Sequence, residues 1–204
     1  MKTLKMYGSA INDRFIDQAV DALRDGQIIV YPTDSLYAIG CDALNNRAIE
    51  KICRLKGIDP KKQNLAITCA DLSQAAAYAR VDNTAYAILR RSLPGAFTFI
   101  LPAAPTLPKV FKGRREVGVR VPNDPIAREL AARLGNPLLT TSIELGDVDD
   151  DVADVATLEI AMKYENDVEL MIDAGPRGVV GSTVVDLTDS SEPVIVRQGL
   201  AWLD

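Results

Sequence analysis

Helix-period and strand-period segments alternate along this chain, and that alternation limits its possible folds more than any other feature. Asn12 can cap a stretch over 13–25 in which Ile16, Ala19, Val20 and Leu23 share one helical face, and Gly26 ends it before the apolar run "QIIVY". Residues 46–55 group Ala48, Ile49, Ile52 and Cys53 in the same way. "LAITC" then reads as a short buried strand, and 72–79 and 83–92 read as helices capped by Asp71 and Asp82. "PGAFTFIL" turns into a strand and "EVGVRVP" is another. "NDPIARELAARLG" is a helix with Asp124 at its cap, Pro125 in its first position and Gly135 at its end. "PLLTTS", "VELMIDAG", "STVVDL" and "PVIVRQG" supply further strands, the last three following one another through turns. Strands interleaved with helices predict an α/β fold, and the run of strands at the end predicts a mixed rather than wholly parallel sheet.

The 204 residues, 48% hydrophobic and 25% charged, suit one well-filled core, and with no repeat, low-complexity tract or linker the expectation is a single domain over 1–204. No apolar run approaches the ~20 residues of a membrane span. The N-terminal "MKTLKMYGSAINDRF" lacks the apolar centre of a signal peptide, so a cytoplasmic protein without membrane contact is expected. Three cysteines, Cys41, Cys53 and Cys69, show no CxxC spacing and read as free buried thiols. Histidine is absent, which excludes Ser-His-Asp and Cys-His nucleophilic machinery and HExxH zinc sites. Chemistry must run on Lys, Arg, carboxylates, hydroxyls, backbone amides or a bound metal, an inventory suited to phosphates and carboxylates.

Charge is uneven within a net of -5. Lys51, Arg54, Lys56, Lys61 and Lys62 form one basic stretch, and Lys109, Lys112, Arg114, Arg115 and Arg120 another; each is either an anion site or a solvated face. "GDVDDDVAD", 146–154, fails as a calcium loop because Val152 stands where glycine is needed, and it reads as a flexible acidic loop. "GPRGVVGST", 175–183, matches neither the P-loop nor GxGxxG, although it can offer amides and the Ser182 and Thr183 hydroxyls to an anion. Behind Pro32 stand Thr33, Asp34, Ser35 and Tyr37, a row of hydroxyl and carboxylate groups that can either cap a turn or hold a ligand. Arg120 likewise reads either as an anion clamp or as a strand arginine paired with a surface carboxylate.

"YPTDSLYAIG", Lys56 in "RLKG", "PGAFTFIL", "VGVRVPNDPIA", "PLLTTS", "GSTVVDL" and "VIVRQG" occur in the order and at about the spacing of the YrdC-like threonylcarbamoyl-adenylate synthase family. The chain resembles most its YciO-type branch. The resemblance implies a twisted open mixed sheet flanked by helices, with a large basic cleft. It also implies a reaction joining L-threonine, bicarbonate and ATP, with Mg²⁺, into threonylcarbamoyl-AMP and pyrophosphate for modification of a tRNA adenosine. By that resemblance Thr33, Arg120 and Ser182 hold the amino acid. Lys56 faces phosphate, Ser142 lies near the nucleotide, and Arg197 serves the nucleotide end; Lys56 and Arg120 take the catalytic, charge-neutralising roles.

Two departures fall at the nucleotide end. The family's lysine is followed two places on by arginine, here Ile58, with Lys61 and Lys62 nearby; its serine is followed two places on by asparagine, here Glu144. Losing a cation and gaining a carboxylate beside a triphosphate weakens nucleotide binding unless a metal or the spare lysines compensate. Two function classes therefore stay open: the synthase, and a diverged homologue that binds nucleotide or RNA in the same cleft, with RNA or tRNA-modification proteins as partners. Only 5% of residues are aromatic and the pI is near 4.9, neither of which favours broad RNA binding.

Overall fold

The computed structural model describes residues 1–7, 10–59, 63, 65–108, 111, 115–143 and 153–203. Ten strands form one sheet: β1 (Lys2–Lys5), β2 (Ile29–Tyr31), β3 (Ala38–Asp42), β4 (Ala66–Thr68), β5 (Phe97–Pro102), β6 (Glu116–Arg120), β7 (Leu138–Ser142), β8 (Leu170–Asp173), β9 (Thr183–Asp186) and β10 (Val194–Arg197), in the spatial order β1-β8-β2-β3-β7-β4-β6-β5-β9-β10. The helices are α1 (Asp13–Arg24), α2 (Asn46–Lys56), α3 (Leu72–Tyr78), α4 (Asn83–Ser92), α5 (Pro125–Leu134) and α6 (Ala153–Tyr164). Their ends obey the local chemistry. Asn12, Asp71 and Asp82 each accept from the amide three residues on, and Asp124 accepts from Ile126 and Ala127 at 2.9 and 3.0 Å. Gly135 closes α5 in the left-handed region at φ 78°, where a side chain would be strained.

The sheet is mixed, as expected, but for a different reason from the one the sequence suggested. The strands at the end of the chain are not all neighbours: β8 lies between β1 and β2, parallel to both, while β9 pairs parallel with β5. Only β9 and β10 form a consecutive antiparallel pair there. Antiparallel pairing comes mostly from β2 with β3, β3 with β7, β7 with β4 and β5 with β6.

Two apolar layers sandwich part of this sheet. On one face α1 and α5 bring Ile16, Leu23, Ile126 and Leu130 against Ile29, Tyr31, Leu138 and Ile172. On the other, Ile49, Ile52, Leu89 and Ile160 of α2, α4 and α6 meet Val30, Ile39, Ile67, Phe99, Val119 and Leu139. Most of these side chains are almost wholly buried, each contributing ~1.5–3 kcal/mol relative to exposure. α1 and α5 cover only half of their face. Beyond β7 the same face presents Ala66, Thr98, Ile100, Gly118, Arg120 and Val184 to a cavity instead of a helix.

Three elements escaped the sequence reading. β3 is buried on both faces, so it shows no alternation. β1 buries only Leu4, too little to show a pattern. Helix α6 was hidden because Leu158 and Met162 are exposed while Ile160 and Tyr164 are buried, leaving no clean apolar stripe; it begins inside the stretch expected to be an acidic loop, whose residues 146–152 lie outside those described. Among the described residues no helix is long and apolar enough to cross a membrane.

Cys41, Cys53 and Cys69 are free and buried. Burial pushes all three thiols up, and neighbouring carboxylates such as Asp42 and Asp71 push the same way. The native state therefore holds these protons more tightly than the unfolded chain, so their contribution to stability is complete below the unfolded thiol pKa of ~8.5 and declines as pH rises above it. At pH 8 the folded protein should react negligibly with a thiol-specific disulfide reagent, whereas unfolding in urea should release three reactive thiols per chain, counted by absorbance.

Candidate functional site

At the end of β6 the alternation that buries Val117 and Val119 turns Arg120 onto the uncovered face, where it is only 3% exposed. Burial pulls this guanidinium below its usual range, opposed by Asp34, whose carboxylate lies 3.2 Å from Nη2. The same Nη2 donates to Ser35 Oγ at 3.1 Å, while Nε has no partner. Asp34 is itself fixed, its other oxygen accepting the Asn123 amide at 2.7 Å. Thr33 completes the turn after β2. Its hydroxyl donates to Leu36 O at 2.6 Å, accepts the Ser35 amide at 3.2 Å and lies 3.2 Å from Ser35 Oγ. Pro32 stops the β2 backbone from pairing further, which frees the chain to wrap around Arg120.

The cavity beside Arg120 holds about 230 Å³ and is lined by Leu65, Ala66, Thr98, Ile100, Gly118, Arg120, Thr140, Ser142, Ser182, Val184 and Arg197. Its floor is flat because Gly118 sits between small neighbours; a Cβ there would lie 3.0 Å from that of Ala66. Ser182 Oγ and Thr98 Oγ1 are 2.8 Å apart, and Arg197 Nη2 donates to Ser182 O at 2.9 Å. Arg197 also weakens the protonation of Arg120, so two guanidiniums act on each other across the cavity with Asp34 as a counter-ion to one of them. A second cavity of about 200 Å³, lined by Leu36, Val179, Val180 and backbone of Gly181 and Gly199, meets the first at Ser142 and Arg197. Gly199 is required by space: a Cβ would approach Gly181 O at 2.4 Å. Lys56 stands behind this junction, donating to Ser142 O at 3.2 Å.

The structure thus gathers Arg120, Ser142, Ser182 and Arg197 on one cavity, with Lys56 behind Ser142. Thr33, wholly buried, reaches the cavity only through Ser35 and Arg120. Lys61, Lys62 and Glu144 lie outside the described residues. Asp34 proves to be the counter-ion of Arg120, and the pair is buried rather than on the surface. Sequence reasoning missed Tyr31, whose hydroxyl lies 2.9 Å from Thr140 Oγ1 and 3.2 Å from Thr68 Oγ1 beneath the floor, donating to one and accepting from the other; burial pushes its pKa up, so it stays protonated. It also missed Arg177, which ties the glycine-rich loop to Thr33 O and Asp124. Aromatic and arginine residues inside strand and turn motifs carried no local signal of these long-range partners. A larger space, about 650 Å³, lies elsewhere, between Arg80, Arg115, Leu107 and Phe111, but among the described residues its lining lacks the convergent hydroxyls and buried cation that mark the cleft.

Comparison with known proteins bears on the family and the overall fold. The Sua5/YciO/YrdC family, described as telomere recombination, matches residues 21–199. YciO of Escherichia coli strain K12, an uncharacterized protein, is 41% identical over 189 residues, spanning 92% of this chain and 90% of its own length. The threonylcarbamoyl-AMP synthase of Bacillus subtilis strain 168 is 33% identical over 192 residues, covering 92% of this chain but 54% of that protein. The E. coli YciO crystal structure superimposes with a TM-score of 0.86 at 37% identity, over 98% of this chain and 97% of that one. Sua5 of P. abyssi complexed with L-threonine gives 0.82 at 28% identity, over 97% and 57%. With its profile, its relatives and its ten-stranded sheet in agreement, the chain belongs to the Sua5/YciO/YrdC family.

Proposed function

We propose that this protein is an ATP-dependent L-threonylcarbamoyladenylate synthase-like enzyme, converting L-threonine, bicarbonate and ATP to threonylcarbamoyl-AMP and pyrophosphate for tRNA modification. The observation that carries the reading is the buried guanidinium of Arg120, with an unpartnered Nε, on a hydroxyl-lined cavity shared with Arg197. The threonine complex of a Sua5 relative supports an amino acid as one ligand. In the reaction the threonine amine bonds to the bicarbonate carbon with loss of water. A carbamate oxygen then attacks the α-phosphorus, and the bond to the bridging oxygen breaks with its electron pair leaving on pyrophosphate. Such chemistry asks the protein to align anions and neutralise charge. Arg120, steadied by Asp34 and Ser35, offers a planar donor to the carboxylate; Thr98 and Ser182 offer hydroxyls; Arg197 and Lys56 serve the phosphates.

Mg²⁺ would enter with the triphosphate and be held by it, because the described residues offer it no cage of their own. Among the described residues no three His, Cys, Asp or Glu gather as a metal cage, and both oxygens of Asp34 are already engaged.

Millimolar Mg-ATP with L-threonine should raise the melting temperature by several degrees, since a ligand at ~100 Kd stabilises by ~2.7 kcal/mol, and pyrophosphate should form only with bicarbonate present. No shift and no pyrophosphate would reject the reading. Arg120→Lys keeps a charge beside Asp34 but loses the planar fork, so L-threonine affinity should fall about tenfold by calorimetry.

Ile58 and Glu144 stand where the family's pattern has arginine and asparagine, and this favours a second reading: a diverged homologue with weakened ATP use. Under it, Glu144→Asn removes a repulsive carboxylate and should raise Mg-ATP affinity or pyrophosphate release severalfold. A drop in both would instead make Glu144 a ligand of metal or lysine.

A further inference from the structure

Arg177 lies outside the cavity lining and is 24% exposed, yet each nitrogen of its guanidinium is engaged. Nε donates to Thr33 O at 3.1 Å, and Nη1 to Ala174 O at 3.2 Å and Pro176 O at 3.0 Å. Nη2 donates to Asp124 Oδ2 at 3.2 Å. Three segments remote in sequence therefore meet on one side chain: the turn after β2, the cap of α5, and the loop that leads from β8 to Ser182. Each is held again nearby. Tyr37, 6.0 Å from the Arg177 carbon by its ring centroid, donates to Gly175 O at 2.7 Å and accepts the Ala174 amide at 3.0 Å. The other oxygen of Asp124 caps α5.

Thr33 passes this anchoring on. Its carbonyl is held by Arg177, its hydroxyl lies against Ser35, and Ser35 Oγ receives the guanidinium of Arg120. We infer that Arg177 is a positioning residue that locks the Thr33–Ser35 turn to the loop carrying Ser182, and so sets the aim of Arg120 at an amino-acid carboxylate. This rests on the reading of the cleft as an amino-acid and nucleotide site. Lysine cannot substitute, because one nitrogen on a flexible stem cannot span acceptors on three segments, whereas the arginine fork is preorganised for it. Asp124 shows what the clamp holds. Burial pushes its carboxyl up, with Arg177 and the helix amides opposing, so removing the guanidinium leaves the α5 cap as a buried carboxylate without its cation.

The test compares Arg177→Ala, Arg177→Lys and Asp124→Asn with a remote control, Arg133→Ala, which breaks surface ion pairs to Asp17 and Glu129. Calorimetry should show L-threonine binding about tenfold weaker in both Arg177 variants and about threefold weaker in Asp124→Asn, with Mg-ATP affinity within about twofold of wild type. Added guanidinium ion at low millimolar concentration should restore threonine binding to Arg177→Ala alone. Hydrogen exchange should quicken at 33–36 and 174–183 but not across α2. Unchanged threonine affinity overturns the proposal, as does equal weakening of both ligands without guanidinium rescue, which would mark general destabilisation. Should Arg177→Ala fail to fold, Arg177→Lys and Asp124→Asn carry the same comparison. If wild type binds neither ligand, the cleft reading fails separately. The exchange pattern and its reversal by guanidinium then decide the clamp on their own.

Discussion

A guanidinium withdrawn from water must find compensation where it stands, and the pairing of Arg120 with Asp34 supplies it at the centre of this molecule. The pair fastens the end of an interior strand to the turn after β2, and the Asn123 amide fastens that turn to the approach of α5. Compensation is partial: Asp34 and Ser35 share one terminal nitrogen, and the buried Nε is left without a partner. Arg197 lines the same space, so two guanidiniums and one counter-ion meet at this cavity in a chain that is acidic as a whole.

Strand order makes room for this. Helices α1 and α5 pack against the β8-β2-β3 side of the sheet, and on that face the strands from β7 onward mix small and hydroxyl side chains with Ile100 and Val184. Ala66, Gly118, Thr98 and Thr140 are poor material for packing a helix and good material for a polar floor. On the reverse face the same strands contribute Ile67, Val119, Phe99 and Leu139 to the main core. One set of strands thus supports both the core and the cleft through the two-residue period of the backbone.

Much of this was legible in the sequence. Caps at Asn12, Asp71, Asp82 and Asp124 announced their helices, because an N-cap is a contact between residues two or three apart. Neighbours within the sheet were not legible, since the place of β8 between β1 and β2 is fixed by packing across the whole chain. The site divides the same way. Arg120, Ser142, Ser182 and Arg197, which line one cavity, stand in the ordered motifs. Local signals were silent on the partner of Arg120, on Tyr31 supporting Thr140, and on Arg177, whose acceptors lie as far away as Thr33. Side chains that act through distant carbonyls leave no periodicity behind them.

The two guanidiniums on the cleft have opposite footings. Arg120 rises from β6, flanked on both sides by paired strands, whereas Arg197 belongs to β10, the last strand of the sheet, whose four residues are all exposed and whose pairing with β9 is irregular between Ile195 and Arg197. The cavity therefore has one wall set in the interior of the sheet and one set on its edge. On the proposed reading, differences in ligand length would fall on the edge strand, which has a neighbour on one side only. Discrimination should then be sharper for the group at Arg120 than for the group at Arg197.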